Sequence, residues 1–571
     1  MTEATVAQRI ARALQRHGVN VIFGQSLPSA VILACEAMGI RQLAYRQENM
    51  GGAMADGFAR VSGRIAVVAA QNGPAATLLV PPLAEAYKAS VPVIALVQEV
   101  ERNQSDRNAF QELDHLALFS SCAKWVRRVI TADRIDDYVD AAFVAAGSGR
   151  AGPAVLLLPN DLLRETAVAP TRERRSSIGE WPIDRSRPSD AEIHTAAVSI
   201  ATAKAPVLIA GGGAASGAAA AALAKLQDRA HLPVFTTNMG KGAADETHPL
   251  SAGVLGALTG PRSLGKQTLP ILQAADLIVL VGTRTNQNGT DSWRQLPAKA
   301  RLIHIDVDPQ EIGRNYEATR LVGDATATLE ALCGALERLD LSLRRDMRAD
   351  LENRIAAAWK CFEDGRSVFS GSNSTPIRPE RVMHELQARL TPETIVVGDA
   401  SYSSMWVVGQ LRSRTAGQRF LTPRGLAGLG WGLPLAIGAK VARPSSPVVA
   451  LVGDGGFAHS WAELETLVRS NVPLVVIVLN NGILGFQKDA ETVKFGCYTS
   501  ACHFSPVDHA AIARACGCGG TVVTVPGDLG KALDLALAEQ RPWLIEVMTD
   551  PAAHPALSVF DGTLDRAAAA P

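Results

Sequence analysis

Short, mostly unbroken apolar runs, rather than alternating ones, punctuate this 571-residue chain: 19–23 and 302–305, each interrupted by one polar residue, and 65–70, 93–97, 207–210, 277–281, 395–398, 448–452 and 474–479. Runs of this kind, rich in Val and Ile, suit parallel strands covered on both faces. Parallel neighbours need crossovers, and helical spacing supplies them. Val6, Ile10, Ala13 and Leu14 mark one face of an opening helix that Gly18 can terminate, and 379–390 forms another. Leu464, Leu467 and Val468 place a crossover helix at 462–470, with Ser460 as its N-cap. A polar, Arg/Pro-rich stretch at about 166–190 and a second polar stretch at 371–376 have no period and read as linkers. The charged segment 341–363 is predicted as a surface helix. The fold class is therefore α/β, with three doubly wound parallel-sheet domains at 1–165, 190–340 and 375–550 and a tail at 551–571. The tail reads equally as a lid or as a segment without structure.

Chemistry gathers where the strands end. The run 448–452 ends in Gly453-Asp454-Gly455-Gly456, and 474–479 ends in Asn480-Asn481-Gly482. Both tips fall at the carboxyl edge of the sheet, where open α/β sheets bind ligands. A carboxylate and an amide oxygen are hard ligands for an octahedral Mg²⁺ that also takes phosphate oxygens, while glycines let backbone amides approach those phosphates. Each motif alone is an ordinary turn; together, around one strand-helix-strand unit, they predict a metal-bridged diphosphate. The exit Asp399-Ala400-Ser401-Tyr402-Ser403-Ser404 suits either diphosphate oxygens or a helix N-cap. Glu48, in a small-residue-rich helix, is an acid in a first turn. Gly211-Gly212-Gly213 after a strand suggests a nucleotide or a tight turn.

Charge narrows the classes. Lys+Arg and Asp+Glu balance at 56 each, leaving no electrostatic footprint for nucleic acid or an anionic membrane. No apolar run reaches the roughly 20 residues of a membrane span, and the amphipathic N-terminus has no signal-peptide core. A cytoplasmic enzyme is expected. Eight scattered cysteines fit reduced thiols.

The Gly-Asp-Gly and Asn-Asn pair resembles the diphosphate motif of thiamine diphosphate (ThDP) enzymes. Four further stretches resemble the acetohydroxyacid (acetolactate) synthase group of that family, in the family's order. These are Arg46-Gln47-Glu48, Gln71-Asn72-Gly73-Pro74, Ala109-Phe110-Gln111-Glu112 and Gly425-Leu426-Ala427-Gly428-Leu429-Gly430. The resemblance implies a pyrimidine-binding domain at 1–165, a central domain at 190–340 and a diphosphate-binding domain at 375–550. It makes Asp454 and Asn481 the Mg²⁺ side-chain ligands, with the carbonyl of Ile483 a third. Glu48 becomes the activator of the aminopyrimidine ring. Asn72, Gly73, Ser401, Tyr402, Ser403, Gly453, Gly455, Gly456 and Leu484 contact the cofactor, and backbone groups of Ala427 and Leu429 hold the ring. Phe110 and Gln111 line the substrate side, Gln25 narrows the pocket, and Phe486 and Gln487 face an acceptor. Arg284 and the run 304–313 match stretches that contact FAD in the synthases and a CoA nucleotide in acyl-CoA relatives. The synthases' Phe-Asp-Asp-Arg is replaced here by Thr285-Asn286-Gln287-Asn288, so FAD, a CoA nucleotide or an empty nucleotide fold stay open, and Arg284 could instead hold an acceptor carboxylate.

In this family Glu48 and Asp454 would serve one cofactor from different chains, implying a dimer and further assembly to a tetramer. No two histidines are adjacent, unlike the proton-donating pair of simple decarboxylases. That favours a carboligase acting on pyruvate or a similar 2-oxoacid. Ala490 stands where the synthases carry a Trp that favours one acceptor, which argues against branched-chain biosynthesis. Two alternatives remain: a lyase or decarboxylase of acyl-CoA or another 2-oxoacid, and a silent oligomeric binding protein.

Overall fold

The computed structural model describes residues 4–167, 172–560 and 563–564. Eighteen strands build three six-stranded parallel sheets. The first holds β1 (Val21–Gly24), β2 (Arg41–Leu43), β3 (Ala66–Ala70), β4 (Val93–Glu99), β5 (Trp125–Arg128) and β6 (Ala154–Pro159), in the order β2-β1-β3-β4-β6-β5. The second holds β7 (Pro206–Ala210), β8 (Val234–Thr236), β9 (Ser251–Val254), β10 (Leu277–Val281), β11 (Arg301–Asp306) and β12 (Thr319–Val322), in the order β9-β8-β7-β10-β11-β12. The third holds β13 (Ile395–Gly398), β14 (Phe420–Leu421), β15 (Val448–Gly453), β16 (Val475–Asn480), β17 (Gly519–Val523) and β18 (Trp543–Met548), in the order β14-β13-β15-β16-β18-β17. The first and third sheets thus share one topology, and the middle one has the order of a dinucleotide-binding sheet. The central strands are buried on both faces, as their unbroken apolar runs require.

The N- and C-terminal domains share a core. Helix Glu48–Ser62, ended by Gly63 in the left-handed region, crosses helix Gly432–Ala442. A Cβ on Gly57 would lie 2.2 Å from the Leu435 carbonyl oxygen, and one on Gly438 would lie 1.9 Å from that of Met54. Only hydrogen fits at this crossing. Met54, Phe58, Leu433 and Leu435 bury around it, each contributing about 1.5–3 kcal/mol of burial.

Several local expectations change. The crossover helix runs Glu463–Arg469 with Ala462 as N-cap, while the Ser460 hydroxyl bonds the Phe457 carbonyl, so Ser460 does not cap it. The reason is that Asp454 opens a short helix of its own, Asp454–Phe457, which uses up that turn. The charged helix is longer, Ser342–Ser370, and one face is buried through Leu351, Ile355 and Phe362. The linker is exposed over 172–177 and 184–187, while Ile178, Trp181 and Ile183 between them pack against the N-terminal core. In the tail, Leu557 and Phe560 join the C-terminal core, and the Ser558 amide bonds the Ala257 carbonyl of the central domain. The end of the tail, 565–571, lies outside the described residues.

Candidate active site

The N-terminal half-site forms at the carboxyl ends of four adjacent strands, β2, β1, β3 and β4. The Gln25 amide donates to the carbonyls of Tyr45 at 3.2 Å and Arg46 at 3.4 Å. Tyr45 ties the same loop to β3, its hydroxyl donating to Ala69 O at 2.7 Å. Burial, with the Glu48 and Glu463 charges behind it, pushes the Tyr45 phenol far above its ordinary value, so it stays a donor. Glu48 follows, half-buried, in the first turn of its helix. After β3, the Asn72 amide donates to the carbonyls of Gln111 at 3.0 Å and Phe110 at 3.4 Å, joining the two pocket segments. The Gly73 amide donates to His115 Nε2 at 3.1 Å, which leaves His115 Nδ1 to face Glu99 at 3.4 Å. Phe110 itself is 84% exposed.

The C-terminal half-site forms at the equivalent four strands, β14, β13, β15 and β16. Buried Asp399 accepts from the amides of Gly430 at 3.0 Å, Trp431 at 2.9 Å and Gly432 at 3.0 Å, fixing the loop that carries Ala427 and Leu429. Burial raises its carboxyl above the usual range, opposed by those amides. A Cβ on Gly456 would meet the Asp399 carboxylate at 2.2 Å, so the two motifs interlock. Ser401 stands in the left-handed region at φ 64°, and Ser403 Oγ lies beside Gly453. The Tyr402 hydroxyl donates to buried Asp489 at 2.6 Å, and its ring meets Phe486 at 5.9 Å and Phe560 at 6.3 Å.

Asp454 and Asn481 stand at neighbouring strand ends. Asp454 Oδ2 accepts from the Gly482 amide at 2.8 Å, and Asn481 Oδ1 from the Ile483 amide at 3.1 Å. Ile483 pairs with His503, and the Leu484 amide bonds Cys502 O at 2.8 Å, so segment 482–484 is pinned from outside. Burial pushes the Asp454 carboxyl up to about 6, and what lowers it again is backbone amides rather than a cationic side chain. A desolvated carboxylate served only by amides, beside an amide oxygen and a backbone carbonyl, fits a divalent cation. Gln487 is exposed and bonded to Glu491 at 2.7 Å.

Arg284 lies elsewhere. It borders a cavity of about 460 Å³ between the three domains, lined among others by Gly212, Gly213, Arg150, Asp306 and Thr422. The cavity opens at the ends of β7 and β10, where the order of the central sheet reverses and dinucleotide sheets bind their ligand. Arg284 donates there to the Lys88 carbonyl, and burial pushes the Asp306 carboxyl up to about 6.

Four residues that shape these half-sites were not visible as such in the sequence: Asp399, Glu85, Glu463 and His115. Each acts on a loop distant in the chain. Glu85 is a lone acid in a stretch of small apolar residues, but Glu463 and His115 stand beside other acids and Asp399 sits in a polar strand exit, so residue type alone gave little signal.

Two sheets of one topology with polar exits at their carboxyl ends, together with a dinucleotide-type sheet, define the class. Residues 4–118 match the N-terminal TPP-binding domain of thiamine pyrophosphate enzymes, 193–332 their central domain and 399–547 their C-terminal TPP-binding domain. The chain belongs to the thiamine pyrophosphate enzyme family. Within it, the chain is 32% identical over 568 residues to a probable acetolactate synthase large subunit of Methanocaldococcus jannaschii, covering 96% of this chain and 92% of that one. It is 30% identical over 565 residues to the corresponding protein of Methanococcus aeolicus, covering 95% and 92%. It is also 30% identical over 550 residues to the acetolactate synthase isozyme 2 large subunit of Escherichia coli K12, covering 95% of each. No helix of the described residues is long and apolar enough to cross a membrane.

Proposed function

We propose that this enzyme is a ThDP- and Mg²⁺-dependent carboligase of the acetolactate synthase type, decarboxylating pyruvate or a similar small 2-oxoacid and joining the product carbon to a carbonyl acceptor. The observation that carries it is the pair of half-sites at equivalent strand ends, together with full-length likeness to acetolactate synthase large subunits. When bound, ThDP supplies a thiazolium that accepts the electron pair left by decarboxylation. Asp454, Asn481 and the Ile483 carbonyl hold Mg²⁺ and through it the diphosphate, with Gly453, Gly455, Gly456, Leu484 and the 401–403 amides around it. Ala427 and Leu429 hold the aminopyrimidine by backbone groups. Glu48 holds a proton at its carboxylate against that ring. Phe110 and Gln111 exclude water on the substrate side and Gln25 narrows the entrance, while Phe486 and Gln487 meet the acceptor.

Exposed apolar side chains at both half-sites, Phe110, Leu426 at 57%, Leu429 at 37% and Phe486 at 37%, support closure by a second copy. The enzyme then works as a homodimer or higher oligomer in the cytoplasm. Turnover of purified protein with ThDP and Mg²⁺ on pyruvate, following CO₂ and acetolactate together, tests the reading. Equal amounts of both support it. CO₂ with free aldehyde makes the enzyme a decarboxylase, and no reaction with pyruvate shifts the assignment to acyl-CoA or another 2-oxoacid.

The central cavity supports an adenine nucleotide, either FAD or the nucleotide end of CoA, at Gly212, Gly213 and Arg284. FAD or CoA is expected to raise the thermal midpoint of the wild type by a few degrees, as for a ligand at about 100 times its Kd, and of Arg284→Ala by less. Equal shifts in both proteins would remove Arg284 from the site.

A further inference from the structure

Two buried glutamates outside the half-sites cross the contact between the N- and C-terminal domains, and each grips a loop of the other domain. Glu463, fully buried, accepts from the amides of Arg46 at 3.0 Å and Gln47 at 3.2 Å, the two residues ahead of Glu48. Its other oxygen takes the Thr466 hydroxyl at 2.7 Å. Glu85, in helix Val80–Ala89 and 1% exposed, accepts from the amides of Gly425 at 2.6 Å, Leu426, and Ala427 at 3.2 Å. The two positions correspond. Glu85 sits on the crossover between β3 and β4, and Glu463 on that between β15 and β16, the third and fourth strands of sheets with one topology. Each reaches the loop that follows the second strand of the opposite sheet, and the two loops lead into the helices that cross at Gly57 and Gly438.

We infer that Glu463 and Glu85 are reciprocal positioning residues. Glu463 fixes the loop that presents Glu48, and Glu85 fixes the loop that presents Ala427 and Leu429, each from the other domain of the same chain. Gln47, the N-cap of the Glu48 helix, makes no side-chain cap bond, so the acceptor its end needs is supplied from across the domain contact. Bonds from backbone N–H to a carboxylate are the stronger kind, and both glutamates are themselves buried, so the amides are what satisfies them. The contacts stand by themselves; what the loops face rests on the function proposed above. On that reading, one chain's two loops serve two different cofactors of a dimer, and the glutamate pair ties those sites together.

Amide hydrogen exchange on the full chain without cofactor tests the inference, comparing wild type with Glu463→Ala, Glu463→Gln, Glu85→Ala and Glu85→Gln. Gln keeps an acceptor oxygen at the same reach. Glu463→Ala is expected to speed exchange at 44–50 by roughly tenfold or more and to leave 424–430 unchanged, Glu85→Ala to do the reverse, Glu463→Gln to stay within about threefold of wild type, and Glu85→Gln, in which one of two amide-accepting oxygens becomes an NH₂, to speed 424–430 by less than Glu85→Ala. Uniform acceleration across the chain, or an Ala variant whose own loop exchanges at the wild-type rate, overturns it. If Glu463→Ala does not fold, Glu463→Asp withdraws the acceptor by one methylene and must show the same selectivity. A second readout is exchange of the C2 proton of bound ThDP, followed by NMR. It should slow in Glu463→Ala and recover in Glu463→Gln, and equal slowing in both would overturn the positioning role. A wild type that fails to accelerate this exchange counts against the proposed function, while amide exchange still decides the role of the glutamates.

Discussion

Glu48→Gln is expected to fold, to bind ThDP and Mg²⁺, and to lose roughly 10²–10⁴-fold in turnover, the range attached to a positioned proton-transfer group. The side chains are nearly isosteric, and the loop ahead of Glu48 is held by groups the substitution does not touch. Glu463 takes the Arg46 and Gln47 amides, and Gln25 spans the Tyr45 and Arg46 carbonyls. What changes is the acid itself, because an amide cannot hold or release the proton at the aminopyrimidine. The loss should therefore fall on kcat, with cofactor affinity within about tenfold of wild type. Kinetics beside a cofactor titration separate the two. Turnover within about threefold of wild type would show that Glu48 acts only as an acid in a helix's first turn.

How much of this was readable beforehand follows from where the information resides. Strands such as Ala66–Ala70 and Val448–Gly453 were legible because burial on both faces demands an unbroken apolar run. Their polar exits were legible for the same reason, since the run has to stop somewhere. Other strands escaped: Ala154–Pro159 and Trp543–Met548, although internal and buried, and Phe420–Leu421, at an edge and only two residues long. Asp454 and Asn481 could be brought together because they end neighbouring parallel strands joined by one crossover. Asp399, Glu85, Glu463 and His115 could not, because each acts on backbone amides brought near only by the folded sheets. Residue type says little about such a role, as an acid on an apolar helix looks the same whether it caps a distant loop or faces solvent. Ser460 misled for a local reason, since the turn it was expected to cap belongs to the short helix that Asp454 opens.

Asp454→Asn should change stability in opposite directions with and without cofactor. Burial raises the Asp454 carboxyl from its ordinary value near 4 to about 6. Between those values the folded chain binds a proton that the unfolded chain has released, so stability falls as pH rises through this window and stays lower above it. At pH 7 the ionised carboxylate therefore costs the cofactor-free protein on the order of 2–3 kcal/mol. Asn has an amide oxygen that can accept the Gly482 amide's hydrogen bond and carries no charge to bury. The cofactor-free variant should thus unfold at higher denaturant than wild type at pH 7, with the difference vanishing below about pH 4. With ThDP and Mg²⁺ the order reverses. The wild type gains a cation that satisfies the carboxylate, whereas the variant loses a charged ligand and more than about 100-fold in affinity. Proton and metal compete for the same oxygens, so wild-type affinity should fall up to roughly tenfold per pH unit below pH 6 and be flat above it. Denaturant curves with and without cofactor, at pH 4, 5, 6 and 7, read all of this in one series. A variant no more stable than wild type without cofactor, and stabilised equally with it, would mean that the Asp454 carboxylate meets no metal.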